Sequence, residues 1–133
     1  MFVDASALVA IITREADADP LLAVIEAASA AVTSPVALYE ATLAVRRKGE
    51  ITVAQAQSIV GRFLATVDVQ VVPITPEIGT AALAAFARYG KGQGHPAQLN
   101  MGDCFAYAAA KLLGVPLLFK GDDFGHTDII VAA

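Results

Sequence analysis

The sequence has little that could form a thiol- or imidazole-based site: among its 133 residues are one cysteine, two histidines and no tryptophan. The single Cys104 excludes an intrachain disulfide and any zinc or iron–sulfur site built from cysteines. With only His95 and His126 available, a histidine-rich metal site is excluded too. A metal ion would therefore have to be held mainly by carboxylates, whose oxygens suit magnesium or manganese.

Basic charge and long apolar runs are also scarce. Nine Lys and Arg face thirteen Asp and Glu, which gives a net charge of −4 and argues against a broad basic face for nucleic acid. The longest stretch without a charged residue, 27–39, contains Ser, Thr and Pro and is shorter than the roughly 20 apolar residues that span a bilayer. The N-terminal sequence has no basic segment of a secretory signal, so we expect a cytoplasmic protein without membrane contact.

What the sequence does contain is enough apolar surface for a core, since 56% of its residues are hydrophobic. We expect one domain over residues 1–133. Short apolar segments, predicted as strands, alternate with helical patterns that carry capping residues such as Ser34, Thr52, Thr75 and Asn100. The predicted strands are residues 2–3, 31–33, 69–74, 115–119 and 129–131. This alternation predicts an α/β fold, a three-layer α/β/α sandwich around a mainly parallel sheet.

Acidic residues occupy conspicuous places in this predicted fold. Asp4 follows the first strand, and Asp122 and Asp123 follow the strand over 115–119. Asp103 lies in the first turn of a predicted helix, and Glu40 is the only charged residue of a largely apolar helical segment. Because ligands bind at the carboxyl ends of strands in parallel sheets, the fold could gather these acids at one place.

Each acid also has a purely structural interpretation. Asp103 could stabilise a helix start, the Asp122–Asp123 doublet could belong to a turn, and Asp4 could cap a helix, although Ser6 is available for that role. Glu40 is the hardest to explain in this way, because burying a lone carboxylate is costly unless it is paired or bound to a cation.

Taken together, the acids indicate a metal site. Crowded carboxylates repel one another, and divalent cations relieve that repulsion. Two such ions about 3.5–4 Å apart could orient a phosphodiester, activate a water and stabilise the leaving oxygen. Without the five acids, nine basic residues face eight acidic ones, so the negative charge is concentrated at the predicted site.

Four segments of the sequence, found in the expected order, resemble the PIN-domain family and, within it, the VapC-type toxins of bacterial toxin–antitoxin pairs. The first is Phe-Val-Asp-Ala-Ser-Ala-Leu, and the second is the helix carrying Leu-Tyr-Glu. The third is the run from His95 to Ala108, and the fourth ends in Lys-Gly-Asp-Asp-Phe. The resemblance covers nearly the whole chain.

The resemblance implies a metal-dependent ribonuclease with Asp4, Glu40 and Asp103 as core acids. Relatives carry Asp-x-Asp-Phe where this chain has Gly-Asp-Asp-Phe, so Asp123 aligns with the second of those acids and Asp122 is displaced by one residue. Ser6 matches a polar position of the family near the first acid. Its hydroxyl could bond a carboxylate or a water, or it could cap the helix.

The resemblance also implies Mg²⁺ or Mn²⁺ as cofactor, an RNA substrate, a VapB-type antitoxin that covers the cleft, and a homodimer. Lys91 and Lys120 are expected near the mouth of the cleft, as candidates for RNA contact. The Arg46–Arg47–Lys48 run could contact RNA or a partner, or form a solvated helix end.

Two other functions stay open on sequence grounds. One is a non-catalytic PIN-fold binding module, although all the acid positions are filled. The other is an acid-cluster phosphatase or phosphoacceptor domain with Asp4 as nucleophile and Lys120 as its partner, which leaves Glu40 without a role. His95 and His126 could act as general acids or lie in surface loops, and Cys104 is expected to fill the core.

Overall fold

The structure, a computed structural model, describes all residues from 1 to 133 and contains four strands and six α-helices. The strands are β1 (Phe2–Val3), β2 (Ala31–Thr33), β3 (Val69–Val71) and β4 (Leu117–Leu118). The helices are α1 (Ala5–Ile12), α2 (Ala18–Ala27), α3 (Pro35–Gly49), α4 (Val53–Val67), α5 (Pro76–Tyr89) and α6 (Met101–Leu113). A short 3-10 helix covers Asp123–His126.

The strands form one sheet in the order β3-β2-β1-β4, and every neighbouring pair is parallel. Phe2 of β1 lies between Val32 of β2 and Leu117 of β4, and both residues of β1 are completely buried. The predicted fold class, an α/β/α sandwich around a parallel sheet, is thereby confirmed. None of the helices has the length and apolar content needed to cross a membrane.

Three strands are shorter than the apolar runs predicted. β3 ends at Val71 instead of residue 74, and β4 covers Leu117–Leu118 instead of 115–119. Pro73 and Pro116 stand just outside these strands, where a residue without an N–H limits the ladder. The predicted strand over 129–131 is reduced to one bridging pair, Leu117 with Val131.

Most helix starts follow the predicted caps. Ser34, Thr52, Thr75 and Asn100 each accept a hydrogen bond from the backbone N–H three residues later. For the first helix, the sequence left Asp4 and Ser6 open as caps, and the structure uses Asp4.

The parallel strands bring several chain segments together at the carboxyl edge of the sheet. The Asp4 backbone N–H donates to the Leu118 carbonyl at 2.9 Å, which fixes the end of β1 beside the end of β4. The buried Thr33 hydroxyl donates to the Val3 carbonyl at 2.8 Å and fastens the end of β2 to the same place. The segments that carry Asp4, Glu40 and the acid doublet all begin at this edge.

Candidate metal centre

Asp4 is the most deeply buried acid of the chain, with 4% of its surface exposed. Its Oδ2 accepts hydrogen bonds from the Ser6 backbone N–H at 3.0 Å and from the Ser6 hydroxyl at 2.6 Å. Burial raises the pKa of the Asp4 carboxyl above its ordinary value, and the bonds from Ser6 only partly oppose that rise. Asp4 is thus both the cap of α1 and a carboxylate held in place without a cationic partner.

Ser6 connects two of the segments that meet at this edge. While its hydroxyl donates to Asp4, its oxygen accepts the Lys120 backbone N–H at 3.0 Å. Of the two roles that the sequence left open for Ser6, the structure shows the bond to a carboxylate and not the helix cap. The hydroxyl fixes the orientation of Asp4 relative to the chain that follows β4.

Glu40 points from α3 toward the start of α6. A Cβ added at Gly102 would lie 2.0 Å from Glu40 Oε2 and 2.2 Å from Oε1, so the carboxylate lies directly against the glycine backbone. Burial, followed by the charges of Asp4 and Asp103, raises the pKa of Glu40 to about 7. Sequence reasoning missed Gly102, although a glycine inside a helix and next to an acid is a signal of close approach.

Asp103 helps to cap the start of α6 and also has a carboxyl pKa that burial and neighbouring acids raise. Its Oδ2 accepts the Asn100 backbone N–H at 3.1 Å, while Asn100 Oδ1 accepts the Asp103 N–H at 2.8 Å, a complete capping box. Even so, burial and the charges of Asp4 and Asp123 outweigh that bond and raise the pKa of Asp103 to about 6. The cap anchors the carboxylate at the site.

The two members of the acid doublet are placed differently. Asp123 begins the 3-10 helix and contributes to the raised pKa of Asp103, whereas Asp122 is not among the charges that act on Asp103 or Glu40. Gly121 precedes the doublet with φ +109°, a backbone conformation that requires glycine and turns the chain after β4. The structure therefore brings Asp123, but not Asp122, into electrostatic reach of Asp103, although both residues lie exposed at the turn.

The donor chemistry of this site fits a divalent cation. The charged groups that act on Glu40 and Asp103 are all acidic, Asp4 is shifted by burial, and no Lys or Arg compensates these three carboxylates. An all-carboxylate donor set is what Mg²⁺ and Mn²⁺ prefer. No three His, Cys, Asp or Glu side chains are already arranged to hold an ion, so binding one would require these carboxylates to close together. We call Asp4, Glu40, Asp103 and Asp123 the acidic site.

Of the two lysines expected near the mouth of the cleft, Lys120 lines a groove together with Ser6 and Glu40 but is already paired with acids. Lys120 Nζ forms ion pairs with Glu15 and with Asp17, the latter at 3.3 Å, and Lys48 Nζ reaches Glu15 at 2.8 Å. Lys120 therefore does not pair with Asp4, as a phosphoacceptor site would need. Lys91 lies exposed in the loop between α5 and α6.

The histidines and the cysteine do not enter the acidic site. His95 accepts the Ala97 N–H at Nδ1 and packs edge-on against Tyr89, while His126 lies exposed in the 3-10 helix. Cys104 is buried in the core as predicted, and burial together with the Asp103 charge raises the pKa of its thiol to about 11. This thiol stays protonated at neutral pH and is a poor nucleophile.

The amino-acid sequence is similar to one protein family over nearly its whole length. The model of the PIN domain matches residues 1–130. A VapC ribonuclease of Rhizobium meliloti is 40% identical, and the match covers 96% of this chain and 98% of the relative. Ribonuclease VapC30 of Mycobacterium tuberculosis is 41% identical over 100% of this chain and 98% of its own length.

Solved structures show the same fold at much lower sequence identity. The Mycobacterium tuberculosis toxin VapC20, described as cleaving the sarcin–ricin loop, superposes with a TM-score of 0.76 and 17% identity, covering 97% of this chain and 95% of that one. A chain of a toxin–antitoxin complex from Klebsiella pneumoniae gives a TM-score of 0.70 at 17% identity, covering 98% and 94%.

Proposed function

Because the chain belongs to the PIN-domain family and, within it, to the VapC ribonucleases, we propose that it is an endoribonuclease that needs Mg²⁺ or Mn²⁺. The observation that carries this proposal is the acidic site, where burial and neighbouring carboxylates raise the pKa values of Glu40 and Asp103 without a compensating cation. The proposed ligands of the ion are Asp4, Glu40, Asp103 and Asp123. Asp122 is assigned at most an outer role, since it does not act on the other acids.

The residues that contact the proposed ligands each have a defined part in this proposal. Ser6 orients Asp4, the capping box with Asn100 anchors Asp103, and Gly102 leaves room for Glu40 to approach. When bound, a divalent cation supplies Lewis-acid polarisation of the phosphodiester and lowers the pKa of water. No side-chain nucleophile is required, which agrees with the protonated, buried Cys104.

VapC toxins act in pairs with antitoxins, and a toxin–antitoxin complex is among the structural neighbours. We therefore assign a VapB-type antitoxin as the protein partner of this chain and place the pair in the cytoplasm. A cationic side chain from that partner would find at the acidic site the compensation that the chain itself does not provide.

A homodimer is also part of the proposal, through an apolar surface formed by α5 and α6. Leu83, Phe86 and Met101 are 73%, 40% and 68% exposed and border a cavity whose other lining residues, among them Gly79 and Phe105, are uncharged. Because no charge lies there, a second copy can meet the same surface about a twofold axis without like-charge repulsion.

The ribonuclease proposal is tested by mapping cleavage of cellular RNA with the purified protein in Mg²⁺. Asp4→Ala, with folding verified by circular dichroism, is expected to reduce cleavage about a thousandfold, because loss of metal binding removes several kcal/mol of transition-state stabilisation. Asp123→Asn is expected to cost at least about tenfold, and Asp122→Asn less than about threefold. Unchanged cleavage by folded Asp4→Ala would favour the non-catalytic binding module.

A further inference from the structure

A groove of about 610 Å³ runs from the acidic site along α3. Its charged lining consists of Glu40 of the acidic site, a second acid, Glu15, and three cations, Arg47, Lys48 and Lys120, and Ser6 also lines it. On α3, Glu40, Ala44 and Arg47 share one helical face, and the rise of 1.5 Å per residue places Arg47 roughly 10 Å along the axis from Glu40. The groove therefore connects Glu40 of the acidic site with a region of mixed charge, in which Glu15 lies among three cations.

An aromatic side chain, that of Tyr39 next to Glu40 in α3, also lines this groove. Tyr39 is 68% exposed, whereas the other two tyrosines of the chain, Tyr89 and Tyr107, are 3% and 8% exposed. Leu43, one helical turn beyond Tyr39, is also exposed and lines the same groove. A large aromatic side chain kept in solvent beside a predicted catalytic acid has no role in the core.

The cations of the groove are not equivalent. Lys48 and Lys120 are both neutralised by Glu15, and Lys120 also by Asp17. Arg47 is exposed and has no carboxylate within ion-pair distance, so it is the cation of the groove that is free to meet an anionic ligand. The Tyr39 ring can stack on a base, and the unpaired Arg47 guanidinium, further along the same helix, can bind a phosphate. Together they match two neighbouring groups of a single-stranded polynucleotide.

We propose that this groove binds single-stranded RNA adjacent to the scissile phosphate, with a base stacked on Tyr39 and a neighbouring phosphate held by Arg47. The inference rests on the proposed ribonuclease function and adds the side on which the substrate strand leaves the acidic site. Stacking on an aromatic ring accepts every base, so Tyr39 contributes affinity and position without selecting a sequence.

The test uses the full chain in Mg²⁺ and a fluorescein-labelled single-stranded oligoadenylate, with binding followed by anisotropy. Tyr39→Ala is expected to weaken the Kd about five- to a hundredfold, and Tyr39→Phe, which keeps the ring, to stay within about twofold of wild type. Leu112→Ala removes an exposed apolar side chain at the far end of α6 and serves as the control.

A second measurement reports stacking directly. Since the chain has no tryptophan, Tyr39→Trp introduces a single indole, whose fluorescence is expected to be quenched when the oligoadenylate binds. For the phosphate contact, Arg47→Ala is expected to lower the slope of log K against log salt by about 0.7, while Arg62→Ala on exposed α4 surface leaves the slope unchanged.

The outcomes separate this inference from the function it rests on. Equal affinity of wild type and Tyr39→Ala, or no binding by wild type, overturns the groove assignment, whether or not cellular RNA is cleaved. Binding that depends on Tyr39 without any cleavage in Mg²⁺ keeps the groove and overturns the ribonuclease proposal. Indole quenching by a poly-arginine peptide but not by RNA would assign the groove to a protein partner and overturn the RNA proposal.

Discussion

Two groups of carboxylates lie close to the same groove and have opposite electrostatic character. Glu15 is paired with Lys48 and Lys120, whose hydrogen bonds hold its pKa down at about 2. Glu40 lies among other acids, and burial with their charges raises its pKa to about 7. The same chemical group thus stabilises the fold in one place and opposes it in the other, depending on how deeply the tertiary structure buries it and on which side chains it brings near.

This difference indicates that Glu15 with its ion pairs has a structural role, whereas the acidic site has a functional one. Paired, partly exposed acids contribute modestly to stability and join segments of the chain. Uncompensated acids are a cost to the folded state, and strongly perturbed pKa values of this kind concentrate at functional sites. The acidic site is therefore expected to gain stability from a ligand, whereas the Glu15 pairs are already satisfied.

Among changes that leave every carboxylate in place, the largest effect is expected from Gly102→Ala, which fills the space that the Glu40 carboxylate occupies. A Cβ within about 2 Å of both Glu40 oxygens must displace them, and a misplacement of this size at a catalytic site can cost about a hundredfold in rate. The matched control is Gly61→Ala in α4, where no atom lies within 4 Å of the new Cβ. That variant should be more stable by about 0.5–1 kcal/mol, with normal cleavage.

These two variants are compared by RNA cleavage and by urea unfolding. A Gly102→Ala variant that folds and cleaves like wild type would show that the position of Glu40 against α6 is not needed. The acidic site would then have to work without this carboxylate.

A smaller effect, of opposite sign in the two groups, is expected on stability in the absence of divalent ions. Glu40→Gln removes like-charge repulsion and should raise the free energy of unfolding by about 1 kcal/mol, while abolishing most cleavage. Glu15→Gln removes two ion pairs and should lower it by less than about 1 kcal/mol. Chemical denaturation in EDTA measures both, and a loss of stability in Glu40→Gln would contradict the unpaired character of the acidic site.

The smallest expected effect is on the free energy of unfolding as a function of pH. It falls in two separate pH ranges, one for the acidic site and one for Glu15. Because the pKa of Glu40 is raised from 4.5 to about 7 and that of Asp103 from 3.8 to about 6, metal-free protein should lose stability as pH rises from about 4 to 7. The pKa of Glu15 is lowered from 4.5 to about 2, so its contribution is present above pH 4.5 and is lost as pH falls toward 2.

Urea midpoints measured across both pH ranges, without and with Mg²⁺, check this dependence. In Glu40→Gln the change in the upper range should become shallower while that in the lower range is unchanged. Magnesium should remove the decline above pH 4, since a bound cation stabilises the charged carboxylates. A flat profile above pH 4 in EDTA would contradict the proposed crowding of acids.

Local sequence signals predicted the helices well and the strands less well. The helix over Met101–Leu113 begins and ends where Asn100 and Gly114 indicate, because capping is decided within a few residues. The strands beginning at Val69 and ending near Phe119 are shorter than their apolar runs, because pairing depends on distant neighbours and on the prolines beside them. Apolar character alone predicted that these segments are buried and did not predict how far the ladder extends.

At the acidic site, the sequence predicted which acidic residues take part, and the fold determined which side chains lie beside them. Nothing local indicates that the Ser6 hydroxyl also accepts the Lys120 backbone N–H, or that Lys120 is held by Glu15 and Asp17. These contacts join positions more than a hundred residues apart, Ser6 and Glu15 each with Lys120.

The sequence by itself determined that any metal site must consist of carboxylates, that helices alternate with parallel strands, and that the acids follow strand ends or begin helices. These properties are set by composition, by apolar periodicity and by capping, all of which act over short distances along the chain. Only the tertiary structure decided which acids are compensated and which are not, that Asp123 and not Asp122 acts on Asp103, and that Gly102 makes room for Glu40. The physical reason is that electrostatic interaction and steric contact depend on distance in space, and segments far apart in sequence meet only in the folded protein.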